Sequence, residues 1–167
     1  MKKKYILALC CMSILFMGCP YNSDVSLDEQ PAVKINTKLI GKWQERTSED
    51  VTYIVSKKDD YNYTILEKHK PAQGDSVSSS DKTYNAFLSN IDGTTFMNLY
   101  DASQDTKSYY FYKIVISDEI EGFTSYPVTE YITEKFTSSA DLKKFVQTYK
   151  DLSFFYGAKV EYIKVGK

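Results

Sequence analysis

The dipeptide Asp92-Gly93 sits between two runs, residues 82–91 and 94–100, that are rich in Tyr, Phe, Leu, Ile and Thr. An Asp-Gly pair between such runs is a strong short-range hairpin signal, because a type I′ turn needs positive φ at both central positions. It commits the middle of the chain to antiparallel β structure. The neighbouring segments follow the same pattern: Tyr, Phe, Val, Ile and Thr, which fit a pleated surface, punctuated at short intervals by turn residues.

Residues 39–45 make a first strand. Residues 52–56 and 61–68 make two more, joined through Lys58-Asp59-Asp60, and residues 108–116 and 120–126 pair around Ser117-Asp118-Glu119. Residues 159–165 close the chain as a last strand. The pattern changes after Ser138 and Ser139, which offer N-caps, with Asp141 in the first turn. Leu142, Phe145, Val146 and Tyr149 recur at helical spacing, which predicts a helix over 139–150 with Lys143, Lys144 and Lys150 outward. A shorter helical turn is expected over 128–135, after Pro127.

The expected fold is mainly β: eight strands, seven before the helix and one after it. Eight short antiparallel strands close a barrel that side chains can fill or that holds one small ligand. A C-terminal helix packed on the barrel would account for residues 109–115, which are apolar on both faces. An open α+β sheet is the alternative.

The first eighteen residues have the build of an export signal. Lys2, Lys3 and Lys4 precede an uncharged run over 5–17, shorter than the roughly 20 residues that span a bilayer as a helix. Leu15-Phe16-Met17-Gly18-Cys19 resembles the lipobox of bacterial lipoproteins, although Phe16 and Met17 depart from the commonest pattern of Leu and then a small residue. The resemblance implies cleavage after Gly18, acylation of Cys19, and a partner in the membrane itself. Pro20, following the cysteine, points to the outer membrane. The expected division is a signal peptide at 1–18, lipidated Cys19 with a flexible tether at 19–37, and one domain at 38–167. Cys10 and Cys11 leave with the signal, so no free thiol remains for a disulfide, a metal or a nucleophile.

The mature chain would have 149 residues, with 18 basic against 22 acidic groups and a net charge of −4. No basic patch stands out, which argues against nucleic acid. Arg46 is the only arginine, so arginine clusters for phosphate or carboxylate are excluded. His69 is the only histidine and lies at the edge of a polar loop, which favours a surface role over catalysis or a metal. Asp59-Asp60 reads as a solvated turn. Glu119 and Glu121 fall on one face at strand spacing without a fixed depth. Phosphate loops, G-x-S-x-G and H-E-x-x-H are absent. No catalytic residue, cofactor or metal is assigned, and enzymatic activity is not expected. Aromatics are the positive signal, and Tyr84, Phe96, Tyr110, Tyr112 and Phe123 are expected as core rather than as a cofactor pocket.

Leu39-Ile40-Gly41-Lys42-Trp43 resembles the start of a lipocalin domain, where Gly-x-Trp on the first strand closes the base of the barrel. A longer series resembles a group of small bacterial envelope lipoproteins. It runs through Tyr84-Asn85-Ala86-Phe87-Leu88, Thr95-Phe96-Met97-Asn98-Leu99, Tyr110-Phe111-Tyr112-Lys113-Ile114 and Phe136-Thr137-Ser138, then Asp141 to Phe145. These resemblances imply a lipid-anchored, non-catalytic domain that binds a small hydrophobic ligand. The alternative is an interaction or inhibitor module for an envelope protein, using a rim loop such as 70–81.

Overall fold

The computed structural model describes residues 20–70, 81–117 and 121–166. A two-residue strand β1 (Asn22–Ser23) precedes β2 (Gly41–Glu45), β3 (Ser48–Lys57), β4 (Asn62–His69), β5 (Lys82–Ile91) and β6 (Thr94–Asp101). Then follow β7 (Tyr109–Ile116), β8 (Gly122–Pro127), the helix α1 (Ser139–Tyr149) and β9 (Val160–Lys164).

Strands β2 to β8 pair in sequence order, all antiparallel, and β9 joins β8 back to β2. The ring is closed, so the protein is an eight-stranded antiparallel barrel with one C-terminal helix, and the open sheet is excluded. Asp92 (φ 49°) and Gly93 (φ 82°) are both left-handed, as the β5–β6 turn requires, and the Asn90 side-chain oxygen accepts from the Gly93 N–H at 3.0 Å.

The two faces of the barrel wall carry two separate apolar clusters. Inward residues alternate along each strand, for example Tyr84, Ala86 and Leu88 on β5 against Asp101, Leu99 and Met97 on β6. Outward residues of β5 to β7, including Phe87, Ile91, Phe96 and Phe111, are also buried, because Leu142 and Val146 of α1 and Phe155 cover them. This explains why β7 is apolar on both faces: Tyr112 and Ile114 belong to the interior cluster and Phe111 to the outer one. The helix begins where Ser138 caps it, its hydroxyl accepting from the Asp141 N–H at 3.2 Å.

Three expectations need correction. Residues 128–135 form no helix beyond a single turn at Glu130 and Tyr131, because Val128 is drawn into an extended bridge with Tyr156 and its N–H donates to the Phe111 carbonyl at 2.9 Å. Lys143 and Lys150 do not simply point outward. Lys143 reaches Asp28, with Nζ 2.5 Å from Oδ1, and Lys150 is buried, with Nζ 2.9 Å from an Asp151 carboxylate oxygen.

The third correction is the largest. The described part of the expected tether, residues 20–37, lies packed on the barrel. Ser23 and Asn22 extend the sheet beside Tyr109 and Tyr110 of β7, and Tyr21 and Leu27 are buried in the outer cluster. Further on, Val33 bridges Leu88, and the Ile35 N–H donates to the Asp60 carbonyl at 3.0 Å. A 3-10 turn, Thr37–Leu39, then leads into β2. This segment gains its order from tertiary partners, since its own sequence has no periodic apolar face.

Candidate functional site

The base of the barrel is built first. Trp43 is 2% exposed, and its indole N–H donates to the Leu39 carbonyl at 2.8 Å. Gly41, two residues earlier, has φ 147°, and a Cβ there would lie 2.9 Å from Lys164 Cε. The Gly-x-Trp pair therefore combines a conformation that favours glycine with a large ring that plugs the end. Tyr63, fully buried beside it, accepts from the Asn36 N–H and ties the approaching segment across the same end.

Above this floor the barrel is hollow. A cavity of about 610 Å³ runs towards the end where β4 stops and β5 begins. Its deeper walls come from Leu39, Val55, Ile65, Met97, Leu99 and Ile114. One side is aromatic: Phe123 stacks on Tyr162 with centroids 4.7 Å apart, and Tyr53 meets Tyr162 edge-on at 5.6 Å. Tyr84, Tyr110 and Tyr112 line the opposite arc. The mouth is polar, with Glu67, Lys82, Asp101, Gln104, Thr106 and Ser108, and Pro20 at its edge. Volume, apolar walls and a few convergent polar groups match what small-molecule sites require.

Of the five aromatic residues expected as filling core, four line this cavity instead: Tyr84, Tyr110, Tyr112 and Phe123. Only Phe96 is solid core, fully buried on the outer face beneath the helix. Register separates them, because Phe96 points outward on β6 while its neighbours Met97 and Leu99 alternate inward or pair with inward residues.

The other singled-out side chains lie apart from one another. Asp59 is an exposed turn residue whose carboxylate accepts from the Tyr61 and Asn62 N–H groups, both at 2.8 Å. Those bonds hold it below the usual carboxylate range, and Lys57 does the same for Asp60. Glu121 is exposed and pairs with Lys164 at 2.8 Å, while Cys19, Glu119 and most of the 70–81 loop lie outside the described residues. His69 is on the rim, with Nε2 2.6 Å from Glu67 Oε1. Glu67 carries no motif in the sequence, yet with Asp101 it supplies the acidic lining of the cavity. Its signal was weak but present: it holds an inward position two residues after Ile65 on an alternating strand. Among the described residues no group of three or more His, Cys, Asp or Glu could hold a metal ion.

The cavity changes its phenols. Burial pushes Tyr84 up to about 12, with the Glu67 charge and the hydrogen bond to it adding to the effect. Burial also pushes Tyr112 up to about 12, reinforced by Tyr110 and Glu67. Tyr53 and Tyr162 are raised for the same first reason. A raised folded-state value favours the neutral phenol. The stability tied to these groups is therefore fully present below about pH 10 and is lost as pH rises towards about 12, because the unfolded chain releases protons that the folded one retains. Denaturant melts across this window should show a steep alkaline loss, with phenolate absorbance of the native protein lagging behind that of the unfolded chain. Coincident titration of every tyrosine near pH 10 in the native protein would contradict the cavity's burial of these rings.

The closed eight-stranded barrel, the Gly-x-Trp base and the ligand-sized interior define a lipocalin-like β-barrel. Comparison with family models, curated proteins and solved structures returned no match for the chain.

Proposed function

We propose that the chain is a bacterial envelope lipoprotein, anchored through acylated Cys19, whose barrel binds a small apolar ligand without transforming it. The observation that carries the ligand reading is the cavity of about 610 Å³ with apolar walls above a sealed floor. A second observation links cavity and anchor. Pro20 lines the mouth, and Tyr21 is pinned by its N–H to the Val128 carbonyl at 3.1 Å and by its hydroxyl to the Glu134 carbonyl at 3.0 Å. A lipid on the adjacent Cys19 would hold the mouth close to the membrane surface, where apolar molecules dissolved in the bilayer reach it directly. The outer membrane is the proposed location, from Pro20 at the position after the cysteine.

Two measurements test this. Metabolic labelling with a fatty-acid probe should mark the wild-type chain and not Cys19→Ser; label retained in the variant removes the anchor. Native mass spectrometry of the full chain recovered from membranes should show a bound small molecule, and Leu99→Trp, which fills the cavity, should lose it. A wild-type chain that is empty and also gains no thermal stability from apolar dyes removes the ligand reading.

One observation favours the interaction-module alternative. Tyr131 and Phe154 are 73% and 68% exposed, and their segments are joined by the Thr129 N–H to the Phe155 carbonyl at 3.0 Å. Large exposed aromatics on linked segments suit a protein partner. An envelope protein crosslinked to the wild-type chain but not to Phe154→Ser would support that role.

A further inference from the structure

The cavity mouth is not evenly polar; its charge has a sign. Among the described residues Glu67 and Asp101 line it against Lys82. Lys82 already acts on Asp101, and Glu45 adds its negative field to Tyr53 and Tyr162. Asp101 is also turned into the loop, where its carboxylate accepts from the Ser103 N–H at 2.8 Å and the Ser103 hydroxyl at 2.6 Å.

Glu67 is the deeper group. Its side chain is 15% exposed, and it sits on β4 directly above Ile65, with Tyr53 of β3 and Lys82 of β5 as its cross-strand neighbours. Among the described residues its hydrogen-bonding groups are His69, at 2.6 Å on its own strand, and Tyr84, while Lys82 is the charged neighbour across β5. A carboxylate has about four lone-pair positions. Among the described residues two are taken, which leaves acceptor capacity on a sheltered anion beside an apolar shaft.

We propose that the cavity takes a single-chain amphiphile whose head is a cation or a hydrogen-bond donor, held at Glu67, and that it disfavours carboxylate-headed chains. This deepens the ligand reading above and rests on it. The tail lies along Ile65, Leu99 and Ile114, where an extended chain buries most apolar area. The head stops at Glu67, the level where the wall changes from apolar to polar. A carboxylate there faces a like charge in a setting less screened than water, whereas an ammonium gains an ion pair and the remaining acceptor positions.

The test uses dodecylamine, dodecanol and dodecanoate with the full chain in lipid nanodiscs, read by the thermal shift of Trp43 emission. Glu67→Gln and Lys82→Gln are run at the same lipid concentration, so that partition into the disc cancels. Dodecylamine should bind about tenfold or more tightly than dodecanoate, with dodecanol between them. Glu67→Gln should collapse that ratio, weakening dodecylamine and no longer repelling dodecanoate, and Lys82→Gln should widen it. Equal binding of the three probes, or dodecanoate binding tightest, overturns the head-group assignment while the cavity reading stands. No shift with any probe, dodecanol included, overturns the ligand reading itself.

Discussion

Trp43→Ala should destabilise the protein by about 3–5 kcal/mol, the range for removing a fully buried large aromatic side chain. The indole closes the base, meets Phe123 edge-on at 4.9 Å, and donates to the Leu39 carbonyl at 2.8 Å. Trp43→Phe keeps much of the ring but leaves that carbonyl without its donor, which should cost about 1–3 kcal/mol. Urea unfolding followed by circular dichroism separates the two. In the wild-type protein the single Trp should emit at short wavelength and shift to longer wavelength on unfolding. A solvated emission maximum, or a Trp43→Ala cost below about 1 kcal/mol, would mean the ring does not seal the barrel.

How far the sequence foretells this architecture differs from place to place, and the differences are physical. The β5–β6 hairpin is legible because its information is local: Asp92 and Gly93 dictate the turn, and the runs on either side dictate the strands. The strand β3 is longer than expected, starting at Ser48 rather than Thr52, because partners hold its polar first residues: Ser48 lies opposite Glu45 of β2, and the Asp50 carbonyl accepts from the Lys70 N–H at 2.8 Å. Helix α1 is legible through the spacing of Leu142 and Val146. The burial of Lys150 is not, since it arises where the chain turns back and the Tyr156 hydroxyl donates to the Lys150 carbonyl at 2.6 Å.

The cavity is the clearest case of information that no local pattern contains. Tyr110, Tyr112 and Phe123 look like core residues because they alternate inward on apolar strands, and they do face the interior. Whether facing rings meet or stand apart depends on the number and closure of strands around them. That is a property of β9 joining β8 to β2, a pairing between residues about 40 and 120 positions apart. Glu67 escaped attention for a related reason. An isolated carboxylate on a strand is ordinary: alternation sets it above Ile65 and the β4–β5 pairing sets it near Tyr84, but only barrel closure turns that face into a cavity wall.

Leu27→Ala should cost about 2–5 kcal/mol, although the sequence around Leu27 has the composition of a solvated linker, where the same change would fall within about 0.5 kcal/mol of zero. Leu27 is fully buried in the outer cluster, beside Phe87, Phe96 and Phe111. Its backbone N–H donates to the Asn98 side-chain oxygen at 2.9 Å. Asn98 is itself fully buried, and its amide nitrogen donates to the Ser89 hydroxyl at 2.9 Å, so this side chain fastens the segment to β5 and β6. Asn98→Ala should leave the Leu27 N–H buried without a partner, at a cost of about 1–3 kcal/mol. The double variant should cost less than the sum of the two, because once the segment has lifted from the sheet the second change has less left to disrupt. Urea unfolding of the full chain measures all three. Near-zero effects at both positions, with the fold retained, would return residues 20–37 to the status of a tether. That outcome would also free the mouth of the barrel from Pro20 at its edge.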